Sequence, residues 1–336
     1  MGCPRSGTTL LQTLLDAHPN IAIPPESHLF RRFAPLFPRY GDLQEESNRK
    51  LLVKDLLNDV RIREWHLELS VEEFCARLKN YSLREIVSVL FEAYAEKEGK
   101  IHWGDKTPSN VLFLPQIKSL FPEAKVIHLV RDGRDVAESL SRALFGTKSI
   151  DTIAYRWKES ILAFRQFVAR FGQEDSIEVK YEDLANDPQH EISKILDFFE
   201  EGDLKIGNGI PDTPTRSYYI QKYPVHQMLR EPVSNRKVGI FLKKMKSRKI
   251  EIFETIAGNL LESYGYHCVT ARKAQIQLWE RISFFLSDYC LRYLRKLTNF
   301  RALGWDLKQA IQIKTRQFSF TARRWAKIFS GLVFKS

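Results

Sequence analysis

The chain has 336 residues and a net charge of +11 from 52 Lys and Arg against 41 Asp and Glu, a length that suits one α/β domain with additions. Its four cysteines, Cys3, Cys75, Cys268 and Cys290, are far apart and form no C-x-x-C pair, which excludes a disulfide framework or a zinc ribbon. No apolar stretch reaches the ~18 residues expected of a membrane span, no secretory leader, repeat or low-complexity tract is present, and the cytoplasm is the expected compartment.

The first element is MGCPRSGTTLLQTLLDAHP. Gly2 and Gly7 bracket Cys3-Pro4-Arg5-Ser6, and Leu10, Leu11, Leu14 and Leu15 mark one face of a following helix. A glycine-bounded turn entering a helix aims backbone N–H groups at one point, where the helix dipole adds partial positive charge; that point suits a phosphate. The spacing of the two glycines fits G-x-x-x-x-G-K-[ST], but Thr8 stands where a nucleoside-triphosphatase needs lysine, and Arg5 is the loop's only cation. The bland alternative is a turn before a core helix. Cys3 could have a lowered thiol pKa at such a helix start, though a small packing residue is the expected role.

A short strand at Ile21 to Ile23 leads into PPES, which carries Glu26, with His28 just beyond. Phe30 to Gly99 is rich in charge and helical period and reads as a helical insertion over the acceptor side. It includes a helix from Ser82 to Lys97 whose Ser82 and Glu85 have capping-box spacing. WGDKTP follows, with Lys106 in a turn.

KVIHLVRDGRDVAESLSRAL reads as strand (Lys125 to Val130), charged turn and helix. Arg131 stands at the carboxyl end of the strand, where ligands of open α/β sheets bind. Ser139 lies about two turns on, and a guanidinium with a hydroxyl suits a second phosphate. Alternatively Arg131, Asp132, Arg134 and Asp135 form only salt bridges at a helix start. Further helices are expected over Asp151 to Phe171, Pro188 to Phe199 and Ser247 to Tyr264, with a strand over Ser176 to Lys180. Strands alternating with helices predict an α/β fold, a parallel sheet with helices on both faces. Two anion sites in one chain imply a ligand with phosphate at both ends.

PRSGTTLL, VRDGRDVAESLSR and VKYEDLANDP resemble, in order and spacing, the motifs of sulfotransferases that use 3′-phosphoadenosine-5′-phosphosulfate (PAPS), over roughly Gly2 to Tyr266. PPES and WGDKTP make the chain similar in particular to the branch of tyrosylprotein sulfotransferases and their bacterial relatives. The resemblance implies a P-loop-like sheet and PAPS as co-substrate without a metal. It implies that Arg5, Ser6, Gly7, Thr8 and Thr9 hold the 5′-phosphosulfate, that Arg131 and Ser139 hold the 3′-phosphate, and that Tyr181 lies beside the nucleotide. It makes Glu26 the leading candidate base, with His28 second, and Lys106 a second cation near the transferring group, alongside Arg5. A solvated loop carboxylate at Glu26 and a mere capping turn at DKTP are the alternatives. Arg142 stands one residue before the place where some relatives have a phosphate-binding arginine, and that place holds Ala143. REPVSNRKVGIFLKKM occupies the position of the family's basic nucleotide loop and offers Arg236 and Lys237.

Such a reaction needs neither the missing lysine nor magnesium, because the sulfuryl group carries less charge than a γ-phosphoryl and fixed N–H groups and arginines can stabilise the bisphosphate leaving group. It does need a base for the acceptor hydroxyl. A P-loop nucleotide or metabolite kinase, or a non-catalytic basic membrane-surface adaptor, are the competing readings. Residues 1–268 are expected to be the catalytic domain and 269–336 an accessory tail. That tail holds fourteen Lys and Arg against three acids, so the remainder is balanced. Its apolar stripe (Ile276, Trp279, Ile282, Leu286) suits an anionic membrane surface or packing in a homodimer, ahead of nucleic acid. A phosphate loop of this type is normally held by a buried strand directly before it, so Met1 is expected to belong to that strand, with the true start and any leader upstream.

Overall fold

The computed structural model describes residues 1–143, 149–206, 210–271, 274–277 and 280. The described residues up to Gln275, Ser149 apart, form one compact unit. The expected amphipathic tail, with Cys290, lies almost wholly outside the described residues.

Helix α1 (Thr8–Leu15) buries Leu11, Leu14 and Leu15 as the leucine spacing requires, and strand β1 (Ile21–Ala22) follows it. The segment expected to be helical contains α2 (Leu29–Phe33), α3 (Glu46–Leu57), α4 (Val71–Ala76) and α5 (Leu83–Lys97). These bury one apolar cluster that includes Leu52, Leu56, Trp65, Phe74, Ile86, Leu90 and Phe91, each fully buried side chain contributing about 1.5–3 kcal/mol. Ser82 caps α5 by accepting from Glu85 N, but Glu85 Oε1 accepts from Lys79 N instead of returning to Ser82. The reciprocal capping box forms one helix earlier, at Ser70 and Glu73.

Strand β2 (His102–Trp103) pairs in parallel with β1. After α6 (Leu114–Leu120), strand β3 (Val126–Val130) leads into α7 (Gly133–Arg142), then α8 (Ile150–Phe171) and strand β4 (Ser176–Lys180). β3 and β4 pair in parallel from Val126 opposite Ser176 to Val130 opposite Lys180. Their connection through helices is the crossover that parallel neighbours require. The chain continues through α9 (Tyr181–Asn186), α10 (Pro188–Phe199), α11 (Pro214–Lys222), α12 (Phe241–Lys244) and α13 (Ser247–Ser263). The fold is thus mixed α/β, with short parallel strands flanked by helices.

Met1 and Gly2 stand where the buried strand before the anion loop was expected. Leu129 N donates to the Met1 carbonyl at 2.8 Å, and Gly2 makes a parallel bridge to Leu129. A side chain on Gly2 would run into the Leu129 carbonyl. The first two residues therefore aim the loop at the carboxyl end of β3. At the other end of the unit, Glu254 accepts from the backbone N–H groups of Val269 and Thr270 at 3.0 and 2.9 Å, and Ala274 N donates to Thr255 Oγ1 at 2.7 Å.

Candidate active site

The loop between Met1 and α1 is shaped by three residues at positive φ, Gly2 at 153°, Arg5 at 77° and Gly7 at 98°. Gly7 is required there twice over: its φ disfavours a side chain, and a Cβ would overlap the ring of Tyr181. The first-turn N–H groups of α1 have no intrahelical acceptors and carry the positive end of the helix dipole. Cys3 is buried, and burial pushes its thiol up to about 12, so the residue packs and does not react. Gly7→Ala is expected to weaken binding of adenosine 3′,5′-bisphosphate about tenfold, since strain or overpacking costs about 1–2 kcal/mol; titration calorimetry measures it.

VRDGRD divides its labour. Asp132 caps α7 by accepting from Arg134 N at 2.9 Å and pairs with the Arg134 guanidinium, which also reaches Glu254 at 2.5 Å and the His267 carbonyl at 2.9 Å. Asp135 accepts from Gly239 N and Phe241 N at 2.8 and 2.9 Å and thereby holds the RKVGIF turn. Salt-bridge chemistry thus accounts for Asp132 and Arg134. Arg131 stands 3.7 Å from Asp135 but does more than pair with it: its guanidinium lies 4.2 Å over the Tyr181 ring, and it donates to the carbonyls of Arg5 (3.4 Å) and Lys237 (2.6 Å). Trp157 Nε1 fixes the Arg131 carbonyl at 2.9 Å. Arg5 Nε donates to Ser139 Oγ at 3.1 Å. Burial and Arg131 pull the Arg5 guanidinium down to about 10, against Glu26 and Tyr181, so it is still charged at neutral pH.

Arg5, Ser6, Gly7, Arg131, Ser139, Tyr181 and the Lys237 backbone therefore meet at one place, with Thr8 and Thr9 in the adjoining helical turn. Ser6 Oγ and Arg131 Nε are buried there with no hydrogen-bond partner. Buried polar atoms without partners are uncommon, and phosphate oxygens would satisfy both. The Arg236 side chain is exposed on the turn Asn235–Lys237. Arg142 is set apart, paired with Glu138 one turn back on α7.

The second group forms around Lys106, 6% exposed. Its ammonium donates to Glu26 Oε1 at 2.6 Å, to Tyr219 OH at 3.0 Å and to Thr9 Oγ1 at 3.3 Å. His28 Nε2 stands 3.2 Å from the other Glu26 oxygen. Burial pushes the Glu26 carboxyl up, but Lys106 and the hydrogen bond from His28 outweigh it and hold the group well below the usual carboxylate range. Burial lowers Lys106, with Glu26 opposing. Glu26 is thus neither a solvated loop acid nor free.

The two loops carrying this pair are tied together by side chains that the sequence did not single out. Asp105 accepts from Ser27 Oγ (2.7 Å), Thr107 Oγ1 (2.9 Å) and Asn110 Nδ2 (2.9 Å), while His28 N donates to Thr107 Oγ1 (3.2 Å). Thr107 precedes the 3-10 turn Pro108–Phe113 without capping it, so DKTP serves this network. Gln12 donates to the carbonyls of Ile23 and Pro24, and Trp65 Nε1 donates to the Pro25 carbonyl at 2.9 Å. The helical insertion thereby positions Glu26 through Trp65. Tyr219 and His226 were also missed. Their rings stand 5.2 Å apart, and burial, Arg5 and Lys106 hold His226 down to about 3, so its imidazole is neutral. The neighbours Asp105 and Ser27 could have been suspected from their place beside Lys106 and Glu26; Tyr219 and His226 left no such signal.

Among the described residues, no group of three or more His, Cys, Asp or Glu side chains is placed to hold a metal ion, and no helix is long and apolar enough to cross a membrane. The chain is 26% identical over 204 residues to the protein-tyrosine sulfotransferase of Drosophila melanogaster, covering 59% of this chain and 37% of that protein. It is 27% identical over 218 residues to the nodulation protein NoeE of Sinorhizobium fredii, covering 58% of this chain and 48% of that protein; the alignments thus span less than half of either relative. The sulfotransferase domain from the Synechococcus PCC 7002 olefin synthase shares the fold, with a TM-score of 0.57 and 22% identity over 79% of this chain and 92% of that one. The family model described as the sulfotransferase family matches residues 1–202, more than half of the chain, and the chain belongs to that family.

Proposed function

We propose that the protein transfers the sulfuryl group of PAPS to a hydroxyl acceptor, with Glu26 as the base. The observation that carries this reading is the position of Lys106: one ammonium bridges Thr9, in the first turn beyond the anion loop, and Glu26, the carboxylate beside it. The loop N–H groups, Arg5, Ser6 and Thr8 would take the 5′-phosphosulfate, and Arg131 and Ser139 the 3′-phosphate, with Tyr181 beside the nucleotide. Arg236 and Lys237 would flank it on the turn that Asp135 holds.

In the transfer, Glu26 takes the acceptor's proton as its oxygen forms the new bond to sulfur. The bond from sulfur to the bridging oxygen of the nucleotide breaks, and the electron pair leaves with that oxygen. Lys106 and Arg5 neutralise the charge that develops there. Both Glu26 oxygens have donors beside them in this structure, so the carboxylate becomes an effective base once an oxygen of PAPS takes the N–H that Lys106 gives to Glu26, the ammonium keeping its place beside Thr9 and Tyr219. His28 on the second oxygen orients the carboxylate.

Adenosine 3′,5′-bisphosphate is expected to bind in calorimetry with a chelator present. Failure to bind, together with magnesium-dependent ATP turnover, would replace this reading with that of a kinase. Arg131→Ala is expected to weaken bisphosphate binding by about 1.5–3 kcal/mol through loss of a charge-assisted contact; unchanged affinity removes Arg131 from the site.

A further inference from the structure

The geometry points to Tyr219 as a positioning residue of the reaction: its phenolic oxygen fixes the Lys106 ammonium midway between the anion loop and Glu26. This rests on the sulfotransferase reading for its chemistry, but not for its geometry. Tyr219 lies in α11, beyond the residues 1–202 that match the family model. Helix α11 starts from a Thr213 cap with Pro214 in its first turn and is pinned to the loop before Glu26. The buried Thr215 Oγ1 donates to the Ile23 carbonyl at 3.3 Å and lies 3.4 Å from Tyr94 OH. Four residues on, and so on the same helix face, Tyr219 is 3% exposed. Its hydroxyl accepts from Lys106 Nζ at 3.0 Å and from the backbone N–H of Glu26 at 3.3 Å, and Lys106 also lies 4.7 Å from the centre of its ring.

An ammonium has three N–H donors and no more. Lys106 directs them at three oxygens: Glu26 Oε1, Thr9 Oγ1 and Tyr219 OH. With all three taken, the ammonium has one orientation. Without the phenolic oxygen it keeps only Thr9 and the carboxylate, and the far stronger pull of the carboxylate draws it away from the anion loop. The same oxygen accepts from the Glu26 backbone, so one atom sets the height of both the base and the cation. Burial disfavours the charged ammonium while Glu26, Asp105 and Tyr223 favour it, and an acceptor bonded to the charged form acts in the same direction as those three. Removing the acceptor must therefore lower the Lys106 pKa.

The test is Tyr219→Phe, which keeps the ring and deletes the oxygen. The Lys106 side-chain carbon resonance is titrated by NMR with adenosine 3′,5′-bisphosphate present, in the parent chain and in the variant. The midpoint is expected to fall by about half a pH unit or more in the variant, with bisphosphate affinity changed less than about twofold. An unchanged midpoint overturns the proposal. The rate of transfer from PAPS to 4-nitrophenol is expected to drop about tenfold in kcat with little change in KM for PAPS, and its alkaline limb to move to lower pH. A merely structural role would lower the rate at every pH without moving the limb. Should Tyr219→Phe not fold, site-specific replacement by ring-fluorinated tyrosines keeps the hydroxyl and weakens it as an acceptor; the midpoint is then expected to fall with each added fluorine, and constancy overturns the proposal. If the midpoint shifts but the parent transfers nothing from PAPS, the positioning stands and the sulfotransferase reading falls.

Discussion

Glu26→Gln is expected to leave affinity for adenosine 3′,5′-bisphosphate nearly intact and to lower sulfuryl transfer by about 10²- to 10⁴-fold, the usual contribution of a positioned general base. Glutamine fills the same volume, and its carbonyl can still accept from Lys106, so the loops tied through Asp105 should hold. What is lost is the capacity to take a proton. Because Lys106 and His28 hold the Glu26 carboxyl well below its ordinary range against the effect of burial, the group is ionised at every pH at which the protein is assayed. No acid limb from Glu26 should therefore appear in the parent's kcat/KM profile above about pH 4. If transfer survives Glu26→Gln and collapses in His28→Ala, the base is His28. His28 Nδ1 is buried without a partner, which makes that arm of the experiment worth running.

Lys106→Met is expected to lower transfer by about 10²- to 10³-fold, because the cation facing the leaving oxygen is gone. The variant should also gain an acid limb. Burial is the largest influence on the Glu26 carboxyl and raises it; with Lys106 removed, its main opponent is gone and His28 and Arg5 remain. The carboxyl then titrates higher than in the parent, and activity falls as the pH drops through that value. The stability consequence is a weaker pH dependence than the parent's. In the parent, the depressed carboxyl contributes stability above the unfolded pKa of about 4.3 and loses it as pH falls toward the folded value. In the variant the folded value lies closer to the unfolded one, so less stability is lost as the pH falls. Breaking such a pair leaves one buried charge alone, a loss of about 2–4 kcal/mol once the partial exposure of Glu26 is discounted. Thermal melts at two pH values and a pH–rate profile read both effects; a profile identical to the parent's would show that Lys106 does not govern Glu26.

Much of the site around Arg5 and Arg131 could be read along the chain because it is local. Gly7 before two threonines and a leucine face can form little other than a loop entering a helix, and Arg131 at the end of a β-rich run has one place to stand. The strands at Val126–Val130 and Ser176–Lys180 followed from apolar, β-branched runs. Glu26, His28 and Lys106 could be named as candidates from their motifs. Their relation could not, since it depends on Asp105 joining two loops about eighty residues apart and on Trp65 reaching the Pro25 carbonyl.

The charge pattern was legible in the same local way but ambiguous in meaning. Arg131, Asp132, Arg134 and Asp135 look alike in a string of letters, and only packing separates the pair that binds Glu254 from the arginine that faces the loop. The α/β alternation, the loop entering α1 and the order of the motifs follow from residue order alone, because each depends on residues within a turn or two of one another. Long-range packing settles that Tyr219 completes the Lys106 contacts, that Asp135 holds the RKVGIF turn beside Arg131, and that Arg142 turns away to Glu138. These contacts join residues distant in sequence or choose among equivalent charges. Burial and distance decide such choices, and neither is written in residue identity alone.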